Sequence, residues 1–315
     1  MKQFGFLFPG QGAQAVGMGF DFYLKNQAAK KVFTQADEIL NFPVTRLCFE
    51  GPDTELVRTK NTQIAIFVTS MATLESVKLQ FPDLQPQVSC GLSLGEFTAL
   101  TAIGAISFED ALKLVQIRGE LMEQAAESNP GTMASIIGLS LDDIREICNE
   151  TGAVPANINS PEQVVISGSV DSVKQACELC EANGAKRAIQ LKVGGAFHSP
   201  LMKSAEEGLK KALQKIRVSK TNIPFIPNVT GEVVNEPETI RMLLANQLTS
   251  PVEWVKTMQT CHQMGLREFL EMGPGSVLKG LARKINSELI VYNINKTEHL
   301  EKLNTMMLEG TTNAS

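Results

Sequence analysis

Gly91-Leu92-Ser93-Leu94-Gly95 is the one window in the chain with G-x-S-x-G spacing. That pattern places a serine at the tip of a sharp strand-to-helix bend, with its hydroxyl exposed. The flanks suit it: Gln87 to Cys90 is short and partly β-prone, and Glu96 to Ile103 is built of helix formers. The chemistry on offer is nucleophilic attack on a carbonyl, provided a base lies within reach. A serine in an ordinary glycine turn has the same spacing, so the partners decide.

The chain holds three histidines. His262 falls in mid-helix beside Gln263, and His299 in a late amphipathic helix near a polar tail, which are surface settings. His198 follows Gly194 and Gly195 at the end of a predicted strand and precedes Pro200. A neutral imidazole there, with an ordinary pKa of about 6.5, can take the Ser93 proton and return it. The competing reading is a satisfied structural histidine. Several acids lie between Ser93 and His198, and none is singled out as a third member of a triad.

The elements that must position these groups read as α/β. Gln3 to Phe8 is a buried strand entering the loop Phe8-Pro9-Gly10-Gln11-Gly12-Ala13-Gln14. Gly10-x-Gly12-x-x-Ala15 imitates a dinucleotide fingerprint, but Pro9, Gly17 and Gly19 delay the helix that should open on the second glycine. Asp37 and Glu38 sit in the helical stretch Gln27 to Leu40 rather than at a strand end. Thr62 to Leu79 is helical by its apolar spacing. Ser107 with Asp110 opens another helix in a box-like cap, running past Arg118 to about Ala126. Spacing alone favours Arg118 as a snorkelling surface arginine, the alternative being a guanidinium turned into a cavity.

From Gly131 to Val193 the order is β-α-β-β-α-β, that of a ferredoxin-like unit: Met133 to Leu139, Leu141 to Glu150, Val154 to Asn159, Gln163 to Ser167, Val170 to Asn183 and Ala185 to Val193. Gly194 to Pro200 marks the return to a larger domain, with a cleft between the lobes. Beyond it come a helix from Leu201 to Ile216, a short strand from Ile223 to Ile226, and helices from Ile240 to Leu248 and Trp254 to Met264. A strand from Leu266 to Leu270, a helix from Val277 to Ile285 and a last strand from Leu289 to Ile294 complete the core. The tail from Gly310 is expected to fray.

Composition narrows the classes. Hydrophobic residues at 43%, charged residues at 20% and no apolar run near a membrane span's length are those of an ordinary globular protein. A net charge of −5 with scattered lysines and arginines argues against nucleic acid as a partner. The six cysteines lie far apart and read as reduced thiols, with Cys177 and Cys180 sharing one helix face rather than a metal site. Pro9 and Gly10 interrupt the apolar N-terminus too early for a signal sequence, so a cytoplasmic location is expected.

Six motifs in register carry a resemblance. FPGQGAQ at Phe8 to Gln14, GLSLGE at Gly91 to Glu96, QIRGELM around Arg118, GAFHSPLM around His198, NQLTSPVEW around Gln247 and EMGPG near Gly273 resemble the malonyl-CoA:acyl carrier protein transacylases of type II fatty acid synthesis. The resemblance implies that Ser93 forms a malonyl-serine and that His198 is base, then acid. It implies an oxyanion hole made by the N–H groups of Gln11 and Leu94, and a bidentate grip of Arg118 on the free malonyl carboxylate. In that family a main-chain carbonyl at the position matching Gln247 orients the histidine. Phe197 matches an A-F-H form that leaves little room for an α-methyl branch. Leu92 departs from the pattern, which usually has histidine before the serine, so rate and donor range can differ.

The combined expectation is an α/β-hydrolase-like large domain with a mainly parallel sheet, residues 1–128 and 196–309. A ferredoxin-like (βαββαβ) subdomain at 129–195 and a flexible tail at 310–315 complete it. The implied reaction is ping-pong transfer of malonyl from malonyl-CoA to the phosphopantetheine thiol of acyl carrier protein. No cofactor or metal is implied, and the chain is expected to act as a monomer. The carrier being acidic, a basic rim is expected from Lys186, Arg187, Lys192, Lys203, Lys210, Lys211, Arg283 and Lys284. The alternatives are a discrete polyketide-type acyltransferase, an acyl-thioester hydrolase, a non-catalytic carrier-holding scaffold and, more remotely, an NAD(P)-binding oxidoreductase resting on the Gly10 to Ala15 loop.

Overall fold

Strands and helices alternate along the chain, and the strands gather into two sheets. A computed structural model describes residues 3–312. The strands are β1 (Phe4–Phe8), β2 (Pro86–Gly91), β3 (Thr132–Ile137), β4 (Val154–Ser160), β5 (Gln163–Gly168), β6 (Arg187–Gln190), β7 (Glu268–Met272) and β8 (Ile290–Ile294). The first sheet has the order β2-β1-β7-β8 and is parallel throughout. Parallel strands are covered on both faces, and the period of two divides β1 accordingly. Phe4, Phe6 and Phe8 enter the core shared with the helix Thr59–Gln80, while Leu7 joins Val88, Cys90, Trp254 and Met258 on the other side. Thr59–Gln80 is buried almost all round, as a helix enclosed by protein must be.

The second sheet, β4-β5-β3-β6, is antiparallel, and its two helices, Leu141–Thr151 and Val170–Ala182, complete the ferredoxin-like order. It is joined to the large domain by backbone bonds: Ile158 N–H donates to the Val252 carbonyl, and Val252 N–H to that of Ala156. Met133, Ala156 and Val165 belong to the same apolar core as the helices of the large domain. The floor of the cleft is therefore continuous core.

Several elements differ from expectation. Ile223 to Ile226 forms no strand, only isolated bridges of Phe225 to Ser89 and Val234, because Pro224 and Pro227 remove the N–H donors a ladder needs. The last strand of the second sheet is confined to Arg187–Gln190 at an edge. The helix after His198 begins as a 3₁₀ turn, Pro200–Met202, and continues as Lys203–Leu213. The helix Pro237–Asn246 tightens into a 3₁₀ turn at Gln247–Thr249. At the C-terminus a helix runs on from Glu298 to Thr312 where the frayed tail was expected, and 313–315 lie outside the described residues. No helix opens at Gly12, the next one starting at Phe20, so the dinucleotide reading lacks its helix N-terminus. Among the described residues no helix is long and apolar enough to cross a membrane.

The cap before Phe108–Ser128 is half of the expected box. Ser107 Oγ accepts from Asp110 N–H at 3.1 Å, but the short Asp110 carboxylate accepts from the Ser107 hydroxyl instead of reaching the backbone.

Candidate active site

Strand β2 ends at Gly91 and the helix Gly95–Ala102 begins four residues later, with Ser93 at the tip of the bend at φ +51. The left-handed conformation is therefore taken by the serine itself, and the glycines supply clearance. A Cβ on Gly91 would run into the Gly95 carbonyl group, and one on Gly95 into the Phe8 carbonyl oxygen. This is why the two glycines stand two residues either side of the serine.

His198, also left-handed at φ +57, turns its ring onto this tip: Ser93 Oγ lies 2.9 Å from His198 Nε2. The other ring nitrogen, Nδ1, lies 2.8 Å from the Gln247 carbonyl oxygen. A carbonyl only accepts, so Nδ1 carries the proton and Nε2 is free to accept from the serine hydroxyl. No acid is needed to set the tautomer. The 3₁₀ turn at Gln247 presents that carbonyl, and its side chain works twice more: Oε1 accepts from Arg118 Nη2 at 2.9 Å, and Nε2 donates to the Ser93 carbonyl at 3.0 Å.

Arg118 is 1% exposed, contrary to the surface position favoured by its spacing. Its Nη2 donates to Ser93 Oγ at 3.0 Å and its Nη1 to Gln63 Oε1. Among the described residues it makes no ion pair with a carboxylate. Burial lowers its pKa to about 10, against the pull of Glu96, so it stays a cation at neutral pH. Glu96 is itself fully buried and is held up at about 8 by desolvation, with the Asn228 N–H and Arg118 drawing it down. A largely neutral Glu96 leaves the positive charge beside Ser93 uncompensated.

The same burial, with Arg118 adding to it, depresses His198 to about 4, while the backbone acceptors Gln247 and Ser250 oppose the shift. The sign for stability follows from linkage. The folded protein resists a proton that the unfolded chain accepts near 6.5, so stability falls as pH drops from about 6.5 to about 4. The His198 share is about 3 kcal/mol at the end of that window. Denaturant titrations of wild type and His198→Gln at pH 7 and pH 4.5 should show the variant losing less stability on acidification; equal losses would refute the shift.

The loop from Pro9 to Gln14 closes the site from one side. Gly273, at φ +132, has no room for a Cβ between Ser70 and Pro9, which seats the Met272-Gly273-Pro274 turn against this loop. Among the described residues, neither Gln11 N–H nor Leu94 N–H is taken up by a backbone carbonyl. Both residues line a cavity of about 440 Å³ with Ser93, Arg118, Phe197 and His198. Leu92 and Phe197 form apolar wall there, and Asn157, Asn159 and Gln163 enter from the second sheet. Of the expected basic rim only Lys192 lines the cavity; Lys203 is held by Glu206 at 2.7 Å.

The structure thus brings Ser93, His198, Arg118, Gln247, Gln11, Leu94 and Phe197 into one place. It adds Gln63 and Asn228, which sequence reasoning missed. Neither carried a signal in the sequence: Gln63 follows the polar run Thr59-Lys60-Asn61-Thr62, and Asn228 is a loop asparagine after Pro227. Chemically the arrangement offers an alcohol with a neutral base, a buried cation 3.0 Å from that alcohol, and two residues in the same cavity whose N–H groups no backbone carbonyl takes up among the described residues.

Comparison with known proteins agrees in extent. The family described as acyl transferase domain matches residues 5–304. The malonyl CoA-acyl carrier protein transacylase of Bacillus subtilis is 41% identical over 319 residues, covering 100% of each chain. The structure of the malonyl CoA-acyl carrier protein transacylase from Coxiella burnetii superposes with a TM-score of 0.93 at 36% identity, covering 96% of each chain. A holo complex of a type II PKS acyl-carrier protein with its malonyl-transacylase gives 0.91 at 37% identity, covering 95% of this chain and 98% of that one.

Proposed function

The chain belongs to the acyl transferase domain family, and on that premise we infer that it transfers malonyl from coenzyme A to the phosphopantetheine thiol of an acyl carrier protein in fatty acid biosynthesis. The observation that carries the acyl choice is Arg118, a buried cation 3.0 Å from the nucleophile with no carboxylate partner among the described residues. An acyl group bearing its own carboxylate completes that pair; an acetyl group leaves it open.

In the first half-reaction Ser93 Oγ attacks the thioester carbon while its proton passes to His198 Nε2. The carbonyl oxygen becomes an oxyanion between the N–H groups of Leu94 and Gln11. Collapse breaks the carbon–sulfur bond, and the imidazolium returns its proton to the leaving thiolate of coenzyme A. The carrier thiol then repeats the sequence in reverse on the malonyl-serine. Arg118 trades its contacts with Ser93 Oγ and Gln247 Oε1 for the malonyl carboxylate, which frees the hydroxyl for attack. Phe197 narrows the space beside the acyl α-carbon. The 129–195 unit serves as the lobe that walls the cleft. A cytoplasmic setting suits six free cysteines, of which all but Cys177 are buried.

Intact-protein mass spectrometry after brief exposure to malonyl-CoA tests this. Wild type should gain one malonyl increment that carrier thiol discharges, with none from acetyl-CoA and none on Ser93→Ala. Free coenzyme A accumulating without an increment would favour a hydrolase.

A further inference from the structure

We propose that Asn228 is a positioning residue for Ser93, a clamp whose one carboxamide sets the peptide groups leading into the nucleophile. This rests on Ser93 being the nucleophile, as inferred above. Asn228 lies 135 residues from Ser93 in sequence and is fully buried. Its Oδ1 accepts from Ser93 N–H at 2.6 Å, and its Nδ2 donates to the Gly91 carbonyl at 2.8 Å. Gly91 is the last residue of β2, an edge strand of its sheet, and Ser93 lies two residues past it. Without the carboxamide the buried Gly91 carbonyl and the part-buried Ser93 N–H would each lose this bond.

The backbone of Asn228 is pinned as well. Its N–H donates to Glu96 Oε1 on the first turn of the following helix, and its carbonyl accepts from Glu253 N–H at 2.8 Å. The clamp therefore grips the elbow before the serine, at it and after it. Gln247 Nε2 holds the next carbonyl, that of Ser93, at 3.0 Å. Ser93 is thereby held at both of its own backbone groups, and the peptide that follows it carries the Leu94 N–H assigned above to the oxyanion. Left-handed φ costs a non-glycine residue about 1–2 kcal/mol, so a serine released from the clamp has a reason to relax.

A carboxamide of this length supplies one acceptor and one donor together at every pH. Aspartate keeps the shape, but when ionised it turns a second acceptor toward the Gly91 carbonyl. When protonated it again offers one donor and one acceptor. The clamp therefore predicts a pH signature that a purely structural role lacks.

The test compares wild type, Asn228→Ala and Asn228→Asp in malonyl-CoA acylation and in labelling by phenylmethylsulfonyl fluoride, which reads Ser93 without malonyl recognition. Asn228→Ala should acylate about a hundredfold more slowly, with KM for malonyl-CoA within about threefold of wild type. Asn228→Asp should approach wild type at low pH and fall at least about tenfold behind as pH rises and its carboxyl ionises. An Asn228→Asp variant whose ratio to wild type is flat with pH overturns the proposal, as does an Asn228→Ala variant of wild-type rate. Should Asn228→Ala fail to fold, Asn228→Asp decides alone. A wild type labelled by the sulfonyl fluoride but inert to malonyl-CoA would sink the donor assignment and leave the Asn228 comparison readable.

Discussion

His198→Gln should reduce kcat for malonyl transfer by on the order of a millionfold, the scale on which one member of a serine–histidine pair is lost. Glutamine can still bond to the Gln247 carbonyl and fill the space, so the fold should persist. What disappears is the acceptor 2.9 Å from Ser93 Oγ that takes the proton during attack. Single-turnover acylation followed by mass spectrometry checks this directly. The pH dependence is diagnostic as well. With its pKa lowered to about 4, the wild-type histidine is already the free base at pH 5, so acylation should hold nearly level from pH 7 to pH 5. A rate that halves near pH 6.5 would mean that the ring is not desolvated as the structure has it, and a variant retaining a hundredth of wild-type activity would remove His198 from the role of base.

Arg118→Met should change which acyl group is accepted. Methionine keeps the length and apolar volume while removing the charge, and the neighbouring Glu96, held up at about 8, stays largely neutral without its partner. Loss of a buried charge pairing of this kind costs about 4 kcal/mol, about a thousandfold in kcat/KM for malonyl-CoA. Acetyl-CoA, with no carboxylate to lose, should gain relative to malonyl-CoA and become the better donor. Competition between the two thioesters, scored as the mass of the acyl-enzyme, gives the ratio in one experiment. An unchanged malonyl preference would show that the carboxylate is held elsewhere.

The chemistry was unusually legible because the constraints on it are local. The elbow needs two glycines at positions where Gly95 and Phe8 carbonyl groups crowd in, and that requirement is written in five consecutive residues. With three histidines in the chain, few residues can serve as the base. Strands and helices of the second sheet also announce themselves through alternation and caps: Ser140 and Ser169 each accept from the N–H three residues on, in the first turns of their helices. One reading failed for a reason that is itself local: Ile223 to Ile226 looks β-prone, yet Pro224 within it and Pro227 after it leave it only bridges to Ser89 and Val234.

Residue types and spacing by themselves determined the α/β alternation, the ferredoxin-like order, the nucleophile's bend and the candidate base. They did not determine where Arg118 points. Its helix offers similar apolar neighbours on more than one side, and only packing against Thr59–Gln80, which brings up Gln63, turns the guanidinium inward. The third partner of the serine and histidine was likewise invisible to residue types and spacing, and only the family resemblance pointed to Gln247, because it is a main-chain carbonyl, a group every residue carries, aimed by a 3₁₀ turn. Asn228 is the extreme case: an ordinary loop asparagine in the sequence, it is carried by the fold to the end of β2, where its carboxamide meets the Gly91 carbonyl and the Ser93 N–H. Periodicity reports which face of an element is buried. Which polar atoms meet inside that burial is settled by tertiary packing, since a hydrogen bond depends on tenths of an ångström that no pattern of residue types encodes.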